Sequence, residues 1–201
     1  IDESENEFQY TSPKELTKLN DKVYFTAESE NVRHLFVHNS ETGDMEVLSS
    51  DIRVDNKSPN PSYLTELDEK LYFNANGDKG KELYIYDPEA ENIEMMVDIK
   101  QGKGSSNPSN FAKVNGILYF SATYGKFGRE LVKYNPETEE AELVQDIRIG
   151  KPSSSPKQLT EVGGKLYFTA YEKAKGRELY VHDPQTGITE MISDIKTGKN
   201  S

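Results

Sequence analysis

The side chains best able to do chemistry recur in this chain as acid–base neighbours. Three glutamates spaced 48 residues apart each follow a basic residue: Glu82 after Lys81, Glu130 after Arg129, and Glu178 after Arg177. A ring of such carboxylates could bind cations, or each glutamate could hold the start of a strand through hydrogen bonds or an ion pair to the next repeat. The structural role is favoured, because periodic recurrence follows from packing one unit repeatedly.

A second set of acids recurs at intervals of 47 or 48 residues, at Asp51, Asp98, Asp146 and Asp194. We expect these short side chains to accept backbone N–H groups within connecting segments. Calcium needs six to eight oxygen ligands, and no loop is dense enough in Asp to supply them. His34, His38 and His182 do not recur at a fixed spacing and are expected to be ordinary strand residues. The sequence therefore predicts no metal ion and no cofactor.

Motifs for covalent or phosphate chemistry are not found. The sequence contains no Gly-x-Ser-x-Gly nucleophile turn, no phosphate-cradling loop and no zincin helix. Asp and Glu are abundant enough to form a glycosidase pair by chance, and only geometry could identify such a pair. An enzyme, with a pocket at the axis of a ring of repeats, is less favoured than a recognition module or a structural spacer. The sequence thus predicts that the protein is not an enzyme.

Aromatic residues divide into a recurrent and a non-recurrent set. Tyr24, Tyr72, Tyr119 and Tyr167 recur in every repeat and are expected in the core or between repeats. Tyr124, Phe127 and Tyr171 lie in polar loops and do not recur in copies one and two. They could stack on sugar rings, or they could fold back over the edge of the sheet.

These residues must be positioned by a repeated structural unit, since the whole pattern recurs about every 48 residues. Each copy contains two pairs of short apolar runs joined by turn residues, which predicts two hairpins and four strands. The second strand, Leu-Tyr-Phe in the last three copies, is apolar on both faces and must be covered on both sides. We therefore expect Phe25, Phe73, Phe120 and Phe168 to be buried equivalents.

The pattern predicts an all-β fold, a small β-propeller of four four-stranded antiparallel blades. Four blades are expected to close a small ring as one domain over residues 1–201, since one repeat is too small to bury a core alone. The predicted blades are 13–60, 61–107, 108–155 and 156–201, after an N-terminal tail at 1–12.

Three segments carry a family resemblance: Glu82-Leu83-Tyr84-Ile85-Tyr86-Asp87, Glu130-Leu131-Val132-Lys133-Tyr134-Asn135 and Glu178-Leu179-Tyr180-Val181-His182-Asp183. With the Asp-Ile-x-x-Gly linkers, the chain resembles bacterial Glu-Leu-Trp-x-x-Asp-Gly-Thr (ELWxxDGT) repeats over nearly its whole length. It departs from them where Phe36, Tyr84, Val132 and Tyr180 replace Trp and where Pro follows the strand. The resemblance implies propeller-like repeats in secreted or cell-surface bacterial proteins, and no particular reaction.

The net charge of the chain and the distribution of its charged residues indicate which classes of partner it could bind. A formal net charge of −11 argues against nucleic acid, which requires a cationic surface. No apolar run approaches the roughly 18 residues of a membrane span. In a four-stranded meander, the loops 28–34, 76–82, 123–130 and 171–178 emerge on the same side as the linkers 51–60, 98–107, 146–155 and 194–201. We call this side the long-loop face.

The long-loop face holds 16 of the 24 Lys and Arg residues but only 12 of the 35 Asp and Glu residues. We expect it to bind a polysaccharide or another anionic cell-surface polymer. The predicted contacts are Lys79, Lys81, Tyr124, Lys126, Arg129, Tyr171, Lys173, Lys175 and Arg177. Alternatively, the lysines merely suit solvated loops and the chain is a structural spacer in a larger array, stacking on neighbouring repeat domains.

Overall fold

A computed structural model describes residues 11–49, 52 and 58–193, and no α-helix occurs in these ranges. Blade one comprises β1 (Thr11–Leu19), β2 (Lys22–Ser29), β3 (Val32–Asn39) and β4 (Met45–Val47). Blade two comprises β5 (Ser62–Leu67), β6 (Lys70–Gly77), β7 (Gly80–Asp87) and β8 (Asn92–Val97). Blade three comprises β9 (Ser109–Val114), β10 (Ile117–Thr123), β11 (Arg129–Asn135) and β12 (Glu140–Gln145). Blade four comprises β13 (Lys157–Val162), β14 (Lys165–Glu172), β15 (Gly176–Asp183) and β16 (Ile188–Ser193).

Each blade is an antiparallel sheet of four strands that are consecutive in the sequence. This confirms the predicted all-β architecture of four four-stranded blades. Tight turns set the register: Asn115 and Gly116 between β9 and β10 both have positive φ, as do Gly163 and Gly164 between β13 and β14. Positive φ at both central positions is the geometry of a turn that matches the twist of a hairpin.

The second strand of each blade lies in the interior, as its unbroken apolar sequence predicts. In β6, Leu71, Tyr72 and Phe73 are all almost completely buried, although successive side chains point to opposite faces of the sheet. Both faces of this blade are therefore covered by neighbouring blades.

Three hydrophobic clusters hold the blades together, one between each pair of successive blades. The first strands lie side by side, with β1 beside β5, β5 beside β9, and β9 beside β13. Tyrosines cross these interfaces: Tyr24 contacts Tyr86 with ring centroids 5.7 Å apart, and Tyr72 contacts Tyr134 at 5.9 Å.

The expected small closed ring is not formed. No cluster in the described part of the chain joins blade four to blade one, so the four blades form an open arc. The angle between neighbouring blades depends on the side chains packed across each interface, and the three interfaces present do not bring blade four against blade one. Phe25 shows the consequence: it is only half-buried, whereas Phe73, Phe120 and Phe168 are at most 1% exposed.

Two further predictions change in detail. The loops at 28–34 and 76–82 are short in the structure, since strands continue to Ser29 and Gly77 and resume at Val32 and Gly80. Thr11 and Ser12, predicted in the tail, begin β1, and residues 1–10 lie outside the described ranges. The described residues contain no helix with the length and apolarity needed to cross a bilayer.

Candidate functional site

The long-loop face is assembled by hydrogen bonds between each linker and the strands of the flanking blades. Thr123 donates its N–H to the Ser106 carbonyl at 2.9 Å, and Tyr171 donates to the Ser154 carbonyl at 2.7 Å. The linkers and the loops after the second strands therefore lie at one edge, which is the geometry that the sequence predicts for a meander. Asp51 and Asp194 lie outside the described residues.

The recurrent glutamates are buried clamps between blades. The Glu82 carboxylate accepts the backbone N–H groups of Ile99 (3.2 Å) and Ser106 (2.7 Å) and the Ser106 hydroxyl (2.5 Å). Glu130 accepts the equivalent groups of Ile147 and Ser154 at 3.2, 2.7 and 2.5 Å. Each carboxylate thus ties the third strand of a blade to the linker that leads into the next blade.

Burial changes the acidity of these clamps. Desolvation raises the pKa of Glu82 to about 7 and also raises that of Glu130, although the hydrogen bonds from serine act in the opposite direction. Glu178 is equally buried. In blade one His34 occupies this position, with its Nδ1 3.3 Å from the Ser49 hydroxyl. Burial lowers the pKa of His34.

The recurrent linker aspartates close local turns, as predicted. One oxygen of Asp98 accepts the Gly102 N–H at 3.1 Å, and one oxygen of Asp146 accepts the Gly150 N–H at 2.8 Å. Gly102 and Gly150 have φ of 90° and 89°, values that side chains other than glycine rarely adopt. No group of three His, Asp or Glu side chains within the described ranges is arranged to hold a metal ion.

Three of the predicted contact residues are engaged within the blades. The Arg129 guanidinium donates to the Ser109 hydroxyl (3.1 Å), the Ser121 carbonyl (2.9 Å) and the Ser106 carbonyl (3.4 Å). Arg177 similarly bonds the carbonyls of Ser155 (3.0 Å) and Thr169 (3.3 Å). The Lys81 ammonium lies 3.3 Å from the Ser62 hydroxyl. Burial lowers the pKa of both Lys81 and Arg129.

The other predicted cations lie closer to solvent. Lys79, Lys126 and Lys173 are exposed, and Lys126 lies 5.4 Å from the centre of the Phe127 ring. Lys175 is half-buried, with its ammonium 3.9 Å from the Met191 sulfur. Lys79, Lys126 and Lys173 therefore remain accessible to a ligand on this face.

The two loop tyrosines fold back against the blades. Tyr124 donates its hydroxyl hydrogen to the Ala141 carbonyl at 3.1 Å and packs against the cluster between blades two and three. Tyr171 lies under Arg148, whose guanidinium carbon is 4.8 Å from the ring centre. This corresponds to the second of the two roles that the sequence left open for them, although an edge of Tyr124 still lines a groove.

Two grooves open on the long-loop face at equivalent positions between blades. Groove A, of about 660 Å³, lies between blades two and three and is lined by Val97–Gln101, Tyr124, Gly125 and Ala141. Groove B, of about 360 Å³, lies between blades three and four and is lined by Ile147–Ile149, Pro152, Glu172 and Lys173. Both grooves are formed by the linker of one blade and the loop of the next.

The groove-lining residues Lys100, Gln101 and Arg148 were not among the predicted contacts. A signal for two of them is present in the sequence, because the third linker position is basic in every copy: Arg53, Lys100, Arg148 and Lys196. The Arg148 Nε atom is buried and has no hydrogen-bond partner among the described residues. Groove B thus presents two cations, Arg148 and Lys173, beside the carboxylate of Glu172.

No protein-family model and no curated protein sequence matches this chain. The resemblance to ELWxxDGT repeats therefore stays a prediction. Solved structures do match, and they have β-propeller-type folds. The chain superimposes on puromycin hydrolase with a TM-score of 0.67 and 16% identity, covering 96% of this chain and 29% of that protein.

Two further similar structures show the same relation. A puromycin-hydrolysing peptidase from Mycobacterium tuberculosis matches with a TM-score of 0.65 and 14% identity over 95% of this chain and 30% of its own length. The extracellular domain of a protein described as a one-component system from B. thetaiotaomicron matches with a TM-score of 0.62 and 14% identity, over 94% of this chain and 24% of its own length. This chain thus spans less than a third of each of the three proteins.

These similarities correct the prediction that the protein is not an enzyme. Puromycin hydrolase and the mycobacterial peptidase share this fold over nearly the whole chain, so the architecture is one that enzymes contain. At 14–16% identity the likeness establishes the fold alone and assigns no reaction. The chain is accordingly a four-bladed arc of propeller type, with a fold found both in puromycin hydrolases and in the extracellular domain described as part of a one-component system.

Proposed function

We propose that this protein is a recognition module of a secreted or surface-attached bacterial protein, and that it binds an acidic polysaccharide on its long-loop face. The observation that carries the proposal is the pair of equivalent grooves on that face, each with a basic linker residue, Lys100 or Arg148. The same face holds most of the cationic residues of a chain whose net charge is −11.

The polar groups of the grooves suit a glycan better than a simple polyanion. Groove A combines Lys100 with Gln101, whose exposed amide can donate hydrogen bonds to sugar hydroxyls and can also accept them. Groove B adds the two cations Arg148 and Lys173, which attract carboxylate or sulfate groups. A polymer that alternates hydroxyls and acidic groups would engage both.

Repetition favours a polymer over a small ligand. The two grooves are related by the blade repeat, so successive units of one polymer chain could occupy them in turn. Linked binding events of this kind raise the apparent affinity without new contacts. The extracellular location of the similar B. thetaiotaomicron domain and the resemblance to ELWxxDGT repeats both support placement outside the cell.

The test compares binding to an acidic polysaccharide with binding to the same polymer after its carboxyl groups have been reduced. We expect a preference for the acidic form at low salt that weakens at high salt, because exposed charges are screened over about 8–10 Å at physiological ionic strength. Failure to distinguish the two polymers at low salt would contradict the proposal and favour the spacer role.

Charge reversal locates the site. The double variant Lys100→Glu, Lys173→Glu places one acidic residue in each groove and should weaken binding about tenfold, given that each exposed pair contributes up to about 1 kcal/mol. The matched control is Lys18→Glu, Lys22→Glu, which makes the same charge change near the β1–β2 turn, on the opposite edge. Equal losses in both variants would show that only net charge matters and would rule out the grooves.

A further inference from the structure

Packing between blades is directional, because each interface joins two different faces. We call the face that a blade turns toward the next blade its forward face, and the opposite face its back face. The last residue of the first strand belongs to the forward face, and Leu19, Leu67 and Val114 are buried there, with 3%, 4% and 1% of their surfaces exposed. The residue three positions earlier belongs to the back face, and Leu64, Phe111 and Leu159 pack there in the three clusters.

A row of aromatic contacts fixes the register of these interfaces. In the first three blades, the second-strand tyrosine contacts the residue that lies four positions after the buried glutamate of the next blade. Tyr24 contacts Tyr86, Tyr72 contacts Tyr134, and Tyr119 contacts His182 with ring centroids 5.5 Å apart. The equivalent residues that remain are Tyr167 in blade four and His38 in blade one. Both are only partly buried.

The two end faces expose large apolar side chains at positions that are packed elsewhere. On the forward face of blade four, Val162 is 56% exposed and Ile192 is 47% exposed. On the back face of blade one, Leu16 is 70% exposed and Met45 is 53% exposed. The counterparts of Ile192 in blades two and three are Met96 and Val144, and both pack in the clusters. The counterparts of Met45 are Ile93 and Ala141, which also pack there.

We propose that a second copy of this chain covers these faces, with the forward face of each blade four against the back face of the partner's blade one. The surfaces continue an interface that the chain already forms three times, so the complementary partner surface is present on every copy. Head-to-tail contacts close into a ring when the rotation permits. Two copies give eight blades, the upper end of the usual range for propellers, and leave no apolar end face in water.

The experiment is sedimentation velocity on the 201-residue chain from about 1 to about 100 µM, a range that spans typical weak to moderate affinities. We expect the wild type to assemble to two chains and no further. The variants Val162→Glu and Leu16→Glu, each at an exposed position where folding is not threatened, should shift assembly at least tenfold higher in concentration. Ile188→Glu is the matched control, since Ile188 is 58% exposed but its counterparts Asn92 and Glu140 are exposed and polar.

Mixing the two variants tests the head-to-tail arrangement directly. Val162→Glu keeps an intact back face and Leu16→Glu keeps an intact forward face, so the mixture should form a two-chain species at concentrations where each variant alone is monomeric. A monomeric wild type at about 100 µM would overturn the proposal. So would growth beyond two chains, an equal effect of Ile188→Glu, or a mixture that stays monomeric.

Discussion

A buried carboxylate is costly unless hydrogen bonds compensate for its lost hydration, and this chain repeats the same solution in successive blades. Glu82 and Glu130 each receive three hydrogen bonds from one serine and one isoleucine of the following linker. The residue that could have formed a cation-binding ring instead joins neighbouring blades. Its recurrence is therefore explained by packing.

The raised pKa of Glu82 predicts a pH-dependent contribution to stability. Because the folded-state pKa is about 7 and the ordinary value is 4.5, the contribution is fully present below about pH 4.5 and is lost as the pH rises through 7. The free energy of unfolding of the wild type, relative to Glu82→Gln, should therefore fall between pH 5 and pH 8. Urea denaturation at several pH values measures this difference.

The wild type must be compared with a variant because His34 and His182 change the free energy of unfolding with pH in the opposite direction to Glu82. Burial lowers the pKa of both, so their contributions are lost as the pH falls. The control is Glu137→Gln, which makes the same substitution at an exposed turn position. A pH-independent difference between the wild type and Glu82→Gln would contradict the assignment.

Equivalent phenylalanines should differ in energetic importance according to their place in the arc. Phe120 is fully buried, so Phe120→Ala should lower the free energy of unfolding by roughly 3–5 kcal/mol. Phe25 occupies the same position in blade one but is half-buried, and Phe25→Ala should cost clearly less when measured at low protein concentration. Equal costs would show that the back face of blade one is already covered in a single chain.

At the scale of elements, the linkers determine how closely successive blades approach. Gly128, in the loop after β10, lies so close to the next linker that an added Cβ would be 2.5 Å from the Pro152 carbonyl oxygen. Its N–H donates to the Gly150 carbonyl at 3.3 Å. Backbone approaches backbone here, which leaves no flexible side chain to move aside.

Gly128→Ala should consequently displace the linker and destabilise the protein by about 1–3 kcal/mol, the usual cost of overpacking. The control is Lys126→Ala, an exposed change two residues away that should leave the urea midpoint nearly unaltered. The displaced linker lines groove B through Pro152, so Gly128→Ala should also weaken polysaccharide binding. Retained stability in this variant would argue against a rigid linker contact.

At the scale of the whole molecule, the open arc leaves two apolar end faces that no other described blade covers. If a second copy covers them, the folded state is stabilised by mass action and its melting temperature depends on protein concentration. We expect the melting temperature of the wild type to rise by about 2–4 °C for each kcal/mol gained as the concentration increases. The melting temperature of Val162→Glu should depend less on concentration over the same range, because its assembly is weaker. Parallel behaviour of the two proteins would contradict this.

Much of the architecture was determined by the sequence itself. The recurrence of Phe73, Phe120 and Phe168, the turn residues Asn115-Gly116 and Gly163-Gly164, and the two-sided apolar second strand predict four-stranded blades because they depend on local periodicity and turn chemistry. The same local reasoning predicts the linker aspartates as acceptors of backbone N–H groups. Such features need no knowledge of distant parts of the chain.

Only the tertiary structure decided whether the blades form a ring or an open arc, and which polar side chains are engaged in hydrogen bonds within the protein. The angle between neighbouring blades arises from side-chain packing across each interface, so the sequence pattern cannot distinguish an open arc from a ring. Arg129 and Arg177 look like free loop cations in the sequence, yet their guanidinium groups bond backbone carbonyls contributed by separate segments. Lys100 and Arg148 line the grooves only because a linker and the loop of the next blade, more than 20 residues apart, meet at one edge.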